Sequence, residues 1–457
     1  LSYSTRPSSP VCHRSLAIRG GSSSHSSSAS SSATNELLSD FPLPSSFQDR
    51  KEDVAIALTS VYAACTVTHH VQPSSNTNIK TISKVDSSPV TVGDFASQAL
   101  ALAVLHSHFP NDVYIAEEGS DALQCDDGLL DKVWKAVCSV QKGVIADEKQ
   151  LMSAIDYGQG IDIENDLEQQ QTETTLKRRI WCLDPIDGTK GFLRGRIEGG
   201  QYCIALALIE DGEPVLSVLG CPNLPAPCTP ATETVPYGLW SDEEVEESER
   251  QQTMFSNSRG CLFVAVRGCG CYEIPLSAIE DYILCNGASK ATAESSWTRL
   301  HVTPNDGSSK PQSEAKFCLG VERGFSDPKG TVLKIAQLIH GPDALTIDSD
   351  GIQDIKNSLR MDGQGKYGLL ARGDAECFLR LPKEGYVDWV WDVAAGYLVL
   401  KEAGGQMTDV HGRSIDFSHI GVGRRAKLPD HVKGILGSCG GVFHEALVDA
   451  HRQVEQT

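Results

Sequence analysis

The segment Trp181–Phe192 constrains what this chain can fold into more than any other, because a short apolar run ends there in two closely spaced carboxylates. The run is too short for a buried helix, which favours a β-strand. The strand is expected to end at Asp184, and Asp187 follows three residues later across a proline turn. Two carboxylates held a few ångströms apart repel each other at neutral pH, so a divalent cation between them stabilises the pair. The segment therefore predicts a metal site at a strand end.

Small residues follow the second aspartate. Gly188 and Thr189 offer backbone N–H groups, and a candidate helix N-terminus, to an anion such as phosphate. A metal ion and a phosphate group therefore fit the same few residues.

Size and charge limit the partners of this chain. Its 457 residues, 40% of them hydrophobic, are compatible with about three domains or with one enzyme of two fused halves, and are enough for a large core. No apolar run reaches the ~20 residues of a membrane span, which predicts a soluble protein without a membrane partner. The formal net charge of -20 argues against non-specific nucleic-acid binding and leaves an anionic ligand to metal ions and a few local cations.

The 15 cysteines are scattered, without a CxxC pair or a zinc-ligand spacing. A chain of this length can bury a core without disulfides, so reduced intracellular thiols are favoured over a disulfide framework. A redox-sensitive pair stays open as an alternative.

Residues 1–46 are predicted to be disordered and to contain a candidate transit segment. The first 35 residues are rich in serine, include Arg6, Arg14 and Arg19, and contain no acidic residue. This composition is typical of an organelle transit peptide, with a serine-rich tail as the alternative. We therefore expect an intracellular protein, in a plastid or mitochondrion if the segment is a transit peptide and in the cytoplasm otherwise.

The remaining chain mixes predicted helices and strands. Helical patterns cover residues 47–71, 94–109, 391–403 and 442–451. Strands are predicted at 113–116, 181–184, 201–209, 214–220, 262–266, 317–321, 367–370, 376–381 and 432–438. Residues 143–178 and 226–260 are polar or acidic and are interpreted as a connecting excursion and an exposed insertion. Without internal repeats, this mixture indicates layered α and β elements.

Five acidic residues lie at the ends of predicted elements: Asp86, Glu117, Asp184, Asp187 and Asp392. Each alone has an ordinary interpretation as a turn residue or a helix cap. Together they could supply an all-oxygen site for two or three Mg²⁺ ions. The sequence by itself does not show that they converge.

Three motifs resemble those of a known enzyme family. They are Asp184-Pro-Ile-Asp-Gly-Thr189, the dipeptide Trp391-Asp392 and the upstream pair Glu117-Glu118. In this order they are similar to the signatures of the lithium-sensitive, magnesium-dependent phosphatase superfamily that includes inositol monophosphatase. The resemblance implies the α/β class and an αβαβα sandwich. It also implies a metal-binding half over residues 47–260, with acidic insertions, and a C-terminal half over residues 261–457 that supplies Asp392 and substrate-binding residues.

Further motifs favour one branch of this superfamily. The run Thr189-Lys-Gly-Phe-Leu-Arg-Gly195 resembles the 3'(2'),5'-bisphosphate nucleotidases, and so do residues 87–94 and 364–367. Inositol monophosphatases typically have threonine and asparagine after the first threonine of the run. The resemblance implies Mg²⁺-dependent conversion of adenosine 3',5'-bisphosphate, and of its sulfated parent nucleotide, to AMP-type products and phosphate, an activity of sulfur metabolism that Li⁺ inhibits. The implied partner is this small-molecule nucleotide.

The resemblance also assigns the metal ligands. Glu117 and Asp184, with the backbone carbonyl of Ile186, would hold one Mg²⁺ ion. Asp184, Asp187 and Asp392 would hold the second.

Catalytic and substrate-binding roles follow from the same resemblance. Asp86 and Thr189 would orient or deprotonate the attacking water, with a third metal ion as an option. Lys366 and Arg380 match a lysine and an arginine that suit the phosphate that is bound but not cleaved. Gly188 and Thr189 are included among the substrate contacts through their backbone N–H groups.

Three positions depart from the nucleotidase pattern. Phe325 stands in place of a histidine, Gly363 in place of a serine, and Val393 in place of another histidine. Phe325 is predicted to stack on the adenine, since an aromatic face needs no hydrogen bond. Phe325 and Gly363 are therefore included among the candidate substrate contacts.

Two alternatives stay open. The first is an inositol monophosphatase or inositol polyphosphate 1-phosphatase with the same metal ions, against which Lys190 and Lys366 argue. The second is a non-catalytic nucleotide-binding sensor, against which the full set of carboxylates argues. The sequence does not determine the oligomeric state, and a monomer is favoured.

Overall fold

A computed structural model describes residues 40–73, 82–83, 89–140, 143–160, 179–226, 254–255, 258–285, 287–307, 310–321, 330–347, 353–356, 358–383, 385–418, 420 and 426–456. The predictions for residues 1–39, for residues 161–178 and for most of 226–260 lie outside these ranges.

Helices and strands alternate along the described residues. The α-helices are α1 Lys51–Val71, α2 Val92–His108, α3 Asp121–Gln124, α4 Asp127–Val140, α5 Glu148–Asp156, α6 Thr189–Arg194, α7 Leu276–Leu284, α8 Lys290–Ser295, α9 Thr331–His340, α10 Gly365–Arg372, α11 Ala394–Glu402 and α12 Gly441–Glu455. The strands are β1 Ile82–Ser83, β2 Pro89–Val90, β3 Val113–Ala116, β4 Arg179–Asp187, β5 Cys203–Glu210, β6 Glu213–Pro225, β7 Arg259–Val266, β8 Gly270–Pro275, β9 Thr298–Leu300, β10 Phe317–Leu319, β11 Leu345–Ile347, β12 Gln353–Ile355, β13 Leu359–Arg360, β14 Cys377–Arg380, β15 Gln406–Asp409 and β16 Ile435–Ser438.

The first sheet has the order β3-β4-β5-β6-β7-β8-β9. Strands β3 and β4 are parallel, and every later neighbour is antiparallel. Strands β5 and β6 form the predicted hairpin, in which Asp211 and Gly212 have φ angles of 52° and 77°. Both angles are positive, as the tight hairpin turn favoured by Asp-Gly requires.

The second sheet has the order β13-β10-β14-β16-β15. Strand β10 runs parallel to β13 and β14, whereas β16 runs antiparallel to β14 and β15. Its strands come from the C-terminal part of the chain, and β14 ends at Arg380.

The two sheets and three groups of helices form five layers. Helices α1 and α2 cover one face of the first sheet, and α10 and α11 lie between the two sheets. Helices α9 and α12 pack together on the far side, where α12 contacts β14 and β16. Separate hydrophobic clusters fill the spaces between successive layers. The predicted αβαβα arrangement is confirmed.

Helices α1 and α2 form as the sequence pattern predicted. The α2 N-terminus is a capping box, in which the Thr91 side chain accepts the N–H of Asp94 and the Asp94 carboxylate accepts the N–H of Thr91. Helix α1 is buried on nearly all sides, and hydroxyls such as that of Thr59 bond the carbonyl four residues earlier, here that of Ala55 at 2.8 Å.

The segment Ser45–Val71 has the length and composition of a membrane span, with a hydropathy of 1.3. Its apolar window is 83% buried inside the fold, where α1 packs on α2 and the first sheet. Buried core helices commonly have this length and composition, and the packing of α1 in the fold explains the apolar character of this segment.

Four sequence predictions differ from the structure. Residues 367–370, predicted as a strand, lie in helix α10, because a helix buried between two sheets is apolar on several faces and loses the helical period. The polar residues 143–178 contain α5 and are not only a connection. Phe41 and Leu43 are buried, so the predicted disorder does not extend to residue 46. The domain boundary predicted between residues 260 and 261 falls inside strand β7, and the first sheet continues to Leu300.

Candidate active site

Strand β4 brings Asp184 and Asp187 to the same side of the sheet. The strand does not stop at Asp184 as predicted but continues through Pro185 to Asp187. Asp184 pairs with Ala205 and Asp187 with Cys203, so three steps on β4 match two steps on β5. This extra residue is a β-bulge, which changes the alternation of side chains and also accommodates the proline.

Asp392 reaches the same place from the other part of the chain. It ends a 3₁₀ turn, Val390–Asp392, directly before α11, and its Oδ2 accepts the N–H of Trp389 at 3.1 Å. Ligand oxygens of Asp184, Asp187 and Asp392 lie within 4.8 Å of one another. The structure therefore brings together three of the predicted metal ligands.

Glu117 lies beside this cluster, directly after β3. Ala116 pairs with Leu183 in the parallel ladder, so Glu117 and Asp184 occupy the next positions on adjacent strands. The charge of Glu117 contributes to a raised pKa of both Asp184 and Asp392. The buried amide of Gln98 holds the following turn by bonding the N–H and the carbonyl of Glu118.

The carboxylates are held in an arrangement that disfavours their negative charges. Burial, followed by the neighbouring charges of Glu117, Asp187 and Asp392, raises the pKa of Asp184 well above its usual value. Burial raises the pKa of Asp392 to about 7, against the opposing effect of Arg380. Burial also raises the pKa of Asp187, against the effects of Lys366, Arg380 and Gln364.

The donor set fits a hard divalent cation. Asp187 Oδ2 is buried and has no hydrogen-bond partner among the described residues. Clustered carboxylate oxygens are the ligands that such ions prefer, and a cation would offset the burial and the neighbouring charges that disfavour the ionised carboxylates. The cluster of Asp184, Asp187 and Asp392 is therefore a candidate metal centre.

The residues after Asp187 turn directly into helix α6. Gly188 has a φ angle of 99°, a left-handed conformation that favours glycine, and it caps the helix that begins at Thr189. Thr189 Oγ1 donates to the Ile186 carbonyl at 3.3 Å, and Asp184 Oδ1 accepts the Ile186 N–H at 3.1 Å. The predicted strand and helix start are confirmed, whereas the predicted turn at Pro185 is instead a bulge within β4. Both main-chain groups of Ile186 bond to side chains within this segment.

Two cations flank the carboxylates. Lys366, on α10, donates from Nζ to the Gly363 carbonyl at 2.6 Å and to the Met361 carbonyl at 3.2 Å. Arg380, at the end of β14, donates from Nε to Asp388 Oδ1 at 2.5 Å, and its Nη2 lies 3.3 Å from Asp392 Oδ2. Its contact with Asp392 places Arg380 beside the cluster, and the positive charges of both side chains lower the pKa of Asp187.

Gly363 has a structural reason to lack a side chain. Its φ angle is 69°, and a Cβ atom built there would lie 2.3 Å from the Asp187 carbonyl oxygen. The loop before α10 can therefore approach β4 closely at this point. Val393, the other described departure from the nucleotidase pattern, is fully buried at the start of α11.

Sequence reasoning missed three side chains that support the site. The first is Gln364, which bonds the Trp391 carbonyl and the Gly396 N–H. The second is Asp388, the partner of Arg380. The third is Asp362, which pairs with Arg194 of α6 at 2.6 Å. No local pattern marks these contacts, since each depends on segments that meet only in the folded chain. The predicted site residues Asp86 and Phe325 lie outside the described residues.

Comparison with known proteins gives consistent matches. The sequence model of the inositol monophosphatase family matches residues 49–455. The chain is 36% identical over 349 residues to the 3'(2'),5'-bisphosphate nucleotidase of Emericella nidulans, covering 74% of this chain and 82% of the relative. It is 34% identical over 375 residues to the enzyme of that name from Schizosaccharomyces pombe, covering 80% and 84%.

More distant matches extend to a plant protein and to a bacterial crystal structure. The chain is 33% identical over 380 residues to a 3',5'-bisphosphate nucleotidase of Arabidopsis thaliana, covering 80% of this chain and 87% of the relative. Among solved structures, the extragenic suppressor protein suhB of Bartonella henselae aligns with a TM-score of 0.47 at 15% identity, covering 88% of this chain and 98% of that one.

Proposed function

Because the chain belongs to the inositol monophosphatase family, we propose that it is a metal-dependent phosphatase acting on adenosine 3',5'-bisphosphate. It removes the 3'-phosphate to give AMP and inorganic phosphate, and it acts in the same way on the sulfated parent nucleotide. The observation that carries the proposal is the convergence of three carboxylates within 4.8 Å, beside two cations, in a relative of proteins named as bisphosphate nucleotidases.

The cofactor in this proposal is Mg²⁺, in two to three ions. Glu117, Asp184 and the Ile186 carbonyl would hold one ion, and Asp184, Asp187 and Asp392 the other. When bound, the ions lower the pKa of the attacking water and neutralise charge on the phosphoryl group. The protein contributes the positions of these oxygens, which β4, its bulge and the 3₁₀ turn fix before substrate arrives.

Chain residues bind the substrate and handle the proton of the attacking water. The N–H groups of Gly188 and Thr189 are offered to the phosphate that is cleaved. Asp86, with Thr189, orients or deprotonates the attacking water. Lys366 and Arg380 bind the phosphate that is not cleaved, since an ammonium and a guanidinium each donate charge-assisted hydrogen bonds to phosphate oxygens. Two separate phosphate sites account for a preference for bisphosphates.

The family also contains inositol phosphatases, so substrate preference needs a direct test. We expect kcat/KM for adenosine 3',5'-bisphosphate to exceed that for inositol 1-phosphate at least tenfold, a margin that one extra charge-assisted contact supplies. We expect inhibition by Li⁺ at millimolar concentration. A preference for inositol 1-phosphate would contradict the proposed substrate, and absence of any phosphate release would favour a non-catalytic nucleotide sensor.

The proposed setting is intracellular. The serine- and arginine-rich residues 1–35 support targeting to a plastid or mitochondrion, and the high acidic charge supports a small-molecule partner over nucleic acid. Microscopy of the full chain fused to a fluorescent protein tests the first point: a diffuse cytoplasmic signal would contradict organelle targeting.

A further inference from the structure

We propose that Asp388 is a positioning residue that selects substrates with a second phosphate by fixing the direction of the Arg380 guanidinium. This inference rests on the proposed function, in which Arg380 binds the phosphate that is not cleaved. It assigns a role to a carboxylate that no sequence motif pointed to.

Asp388 is held rigidly in the fold. Its side chain is 1% exposed, and its carbonyl accepts the Leu428 N–H at 2.9 Å. Two residues later the Val390 N–H donates to the Ala426 carbonyl at 2.8 Å, and Trp389 forms a β-bridge with Lys427. A short antiparallel pairing on both sides of Trp389 therefore fixes the backbone that carries Asp388.

Arg380 is shared between two carboxylates. Its Nε donates to Asp388 Oδ1 at 2.5 Å, and its Nη2 lies 3.3 Å from Asp392 Oδ2. Nη1 makes no hydrogen bond to any of the described residues. A guanidinium binds phosphate best through two parallel N–H groups, so this arrangement leaves donors available on the side away from Asp388.

The negative charge of Asp388 counteracts the electrostatic attraction between Arg380 and the metal-site carboxylates. Asp187 and Asp392 both interact electrostatically with this guanidinium. Without Asp388, the attraction of Asp392 would be opposed by no nearby carboxylate, and the side chain would turn toward the metal ligands. With Asp388 bound at Nε, the guanidinium plane is held between the two carboxylates.

The geometry of Asp388 is poorly suited to a purely stabilising role. Its Oδ2 is buried and has no hydrogen-bond partner among the described residues. A buried carboxylate with one unsatisfied oxygen costs free energy, and buried ion pairs are often no more stabilising than apolar residues of the same size. Control of the Arg380 side chain accounts for a charge at this position.

The test compares two substrates that differ only in the second phosphate. Kinetics are measured at saturating Mg²⁺ with adenosine 3',5'-bisphosphate and adenosine 3'-monophosphate, for the wild type, Asp388→Asn and Asp388→Ala. In Asp388→Ala we expect KM for the bisphosphate to rise about tenfold or more, the size of one lost charge-assisted hydrogen bond. Any change through Asp392 affects both substrates alike, so the KM of the monophosphate should rise at least about threefold less than that of the bisphosphate. Asp388→Asn retains an acceptor for Arg380 Nε, so its KM for the bisphosphate should lie between those of the wild type and Asp388→Ala.

A matched control separates positioning from general destabilisation. Asp354 of β12 forms a similar half-buried pair with Arg360 of β13. Asp354→Asn should leave the preference for the bisphosphate unchanged. The inference is overturned if Asp388→Ala retains the wild-type preference, or if Asp354→Asn loses it to the same extent.

Failure of the proposed catalytic function can be distinguished from failure of the positioning role of Asp388. If the wild type releases no phosphate from either nucleotide, calorimetric binding of the same two nucleotides replaces the kinetics. Selective loss of bisphosphate binding in Asp388→Ala then supports the positioning role although the catalytic proposal has failed. An unchanged ratio of the two dissociation constants overturns the positioning role as well.

Discussion

Substitution of Gln364 by methionine should loosen the candidate metal centre. Gln364 is 1% exposed at the start of α10. Its Nε2 donates to the Trp391 carbonyl at 2.7 Å, and its Oε1 accepts the Gly396 N–H at 3.0 Å. Its amide also acts on the Asp187 carboxylate and lowers its pKa. One side chain thus connects β4 to the turn that carries Asp392 and to the first turn of α11.

The expected size of the effect follows from these contacts. Methionine has nearly the same length but no donor, so two buried main-chain groups lose their partners, which costs roughly 2–5 kcal/mol of folding stability. Side chains that orient metal ligands typically contribute about 10–100-fold in metal affinity. We therefore expect Mg²⁺ to bind Gln364→Met at least tenfold more weakly, and high Mg²⁺ to restore part of the activity.

Terbium luminescence measures this affinity without turnover. Tb³⁺ prefers oxygen ligands, and the stacked indoles of Trp389 and Trp391, with centroids 4.7 Å apart, can sensitise its emission beside Asp392. Mg²⁺ is then titrated in competition. Gln72→Met is the matched control, because Gln72 is 4% exposed and bonds the Phe192 carbonyl without touching the carboxylates. Equal Mg²⁺ affinity in the wild type and Gln364→Met would refute the reasoning.

Three further outcomes follow from other parts of the fold. Burial lowers the pKa of His444 from 6.5 to about 4. Between these two pH values the unfolded state binds a proton that the folded state does not bind. Folding stability should therefore fall by about 3 kcal/mol as the pH is lowered from 6.5 to 4. Urea unfolding at both pH values tests this, and an equally large fall in His444→Phe would contradict it. Gly363→Ala should lose activity and at least about 2 kcal/mol of folding stability, because its Cβ would lie 2.3 Å from the Asp187 carbonyl oxygen. Thermal unfolding and phosphate release measure the two effects. A melting temperature equal to that of the wild type would contradict the close approach of residue 363 to β4. Arg179→Met should cost about 1–2 kcal/mol, discounted for its 26% exposure, because Arg179 binds three carboxylates at once; a melting temperature unchanged at low salt would show that this cluster contributes nothing.

The local part of the site was predictable from the sequence. The run from Trp181 to Thr189 contains its own signals for a strand and a helix start, and the structure has both, although the strand continues through the predicted proline turn to Asp187. The helix predicted over residues 391–403 is present as α11, although the structure places Asp392 in a 3₁₀ turn directly before it. Neighbouring residues determine these features, so a linear pattern is sufficient.

The non-local part was not predictable in this way. The bulge between Asp184 and Asp187 is a property of the pairing between β4 and β5. No residue of the motif by itself predicts it. Helix α10 was mistaken for a strand because its surroundings on both faces are sheets, which removes the helical period of apolar residues. The roles of Gln364 and Asp388 depend on contacts across the folded chain.

Phosphate release from adenosine 3',5'-bisphosphate tests the central claim most directly. It is measured with Mg²⁺ and with a chelator, for the wild type and for Asp184→Asn, which removes the charge of the carboxylate at the centre of the cluster. We predict turnover only in the wild type with Mg²⁺, and a loss of at least about 10³-fold in Asp184→Asn, since the metal ions supply several kcal/mol of transition-state stabilisation. Undiminished turnover in Asp184→Asn, or in the chelated wild type, would contradict the account.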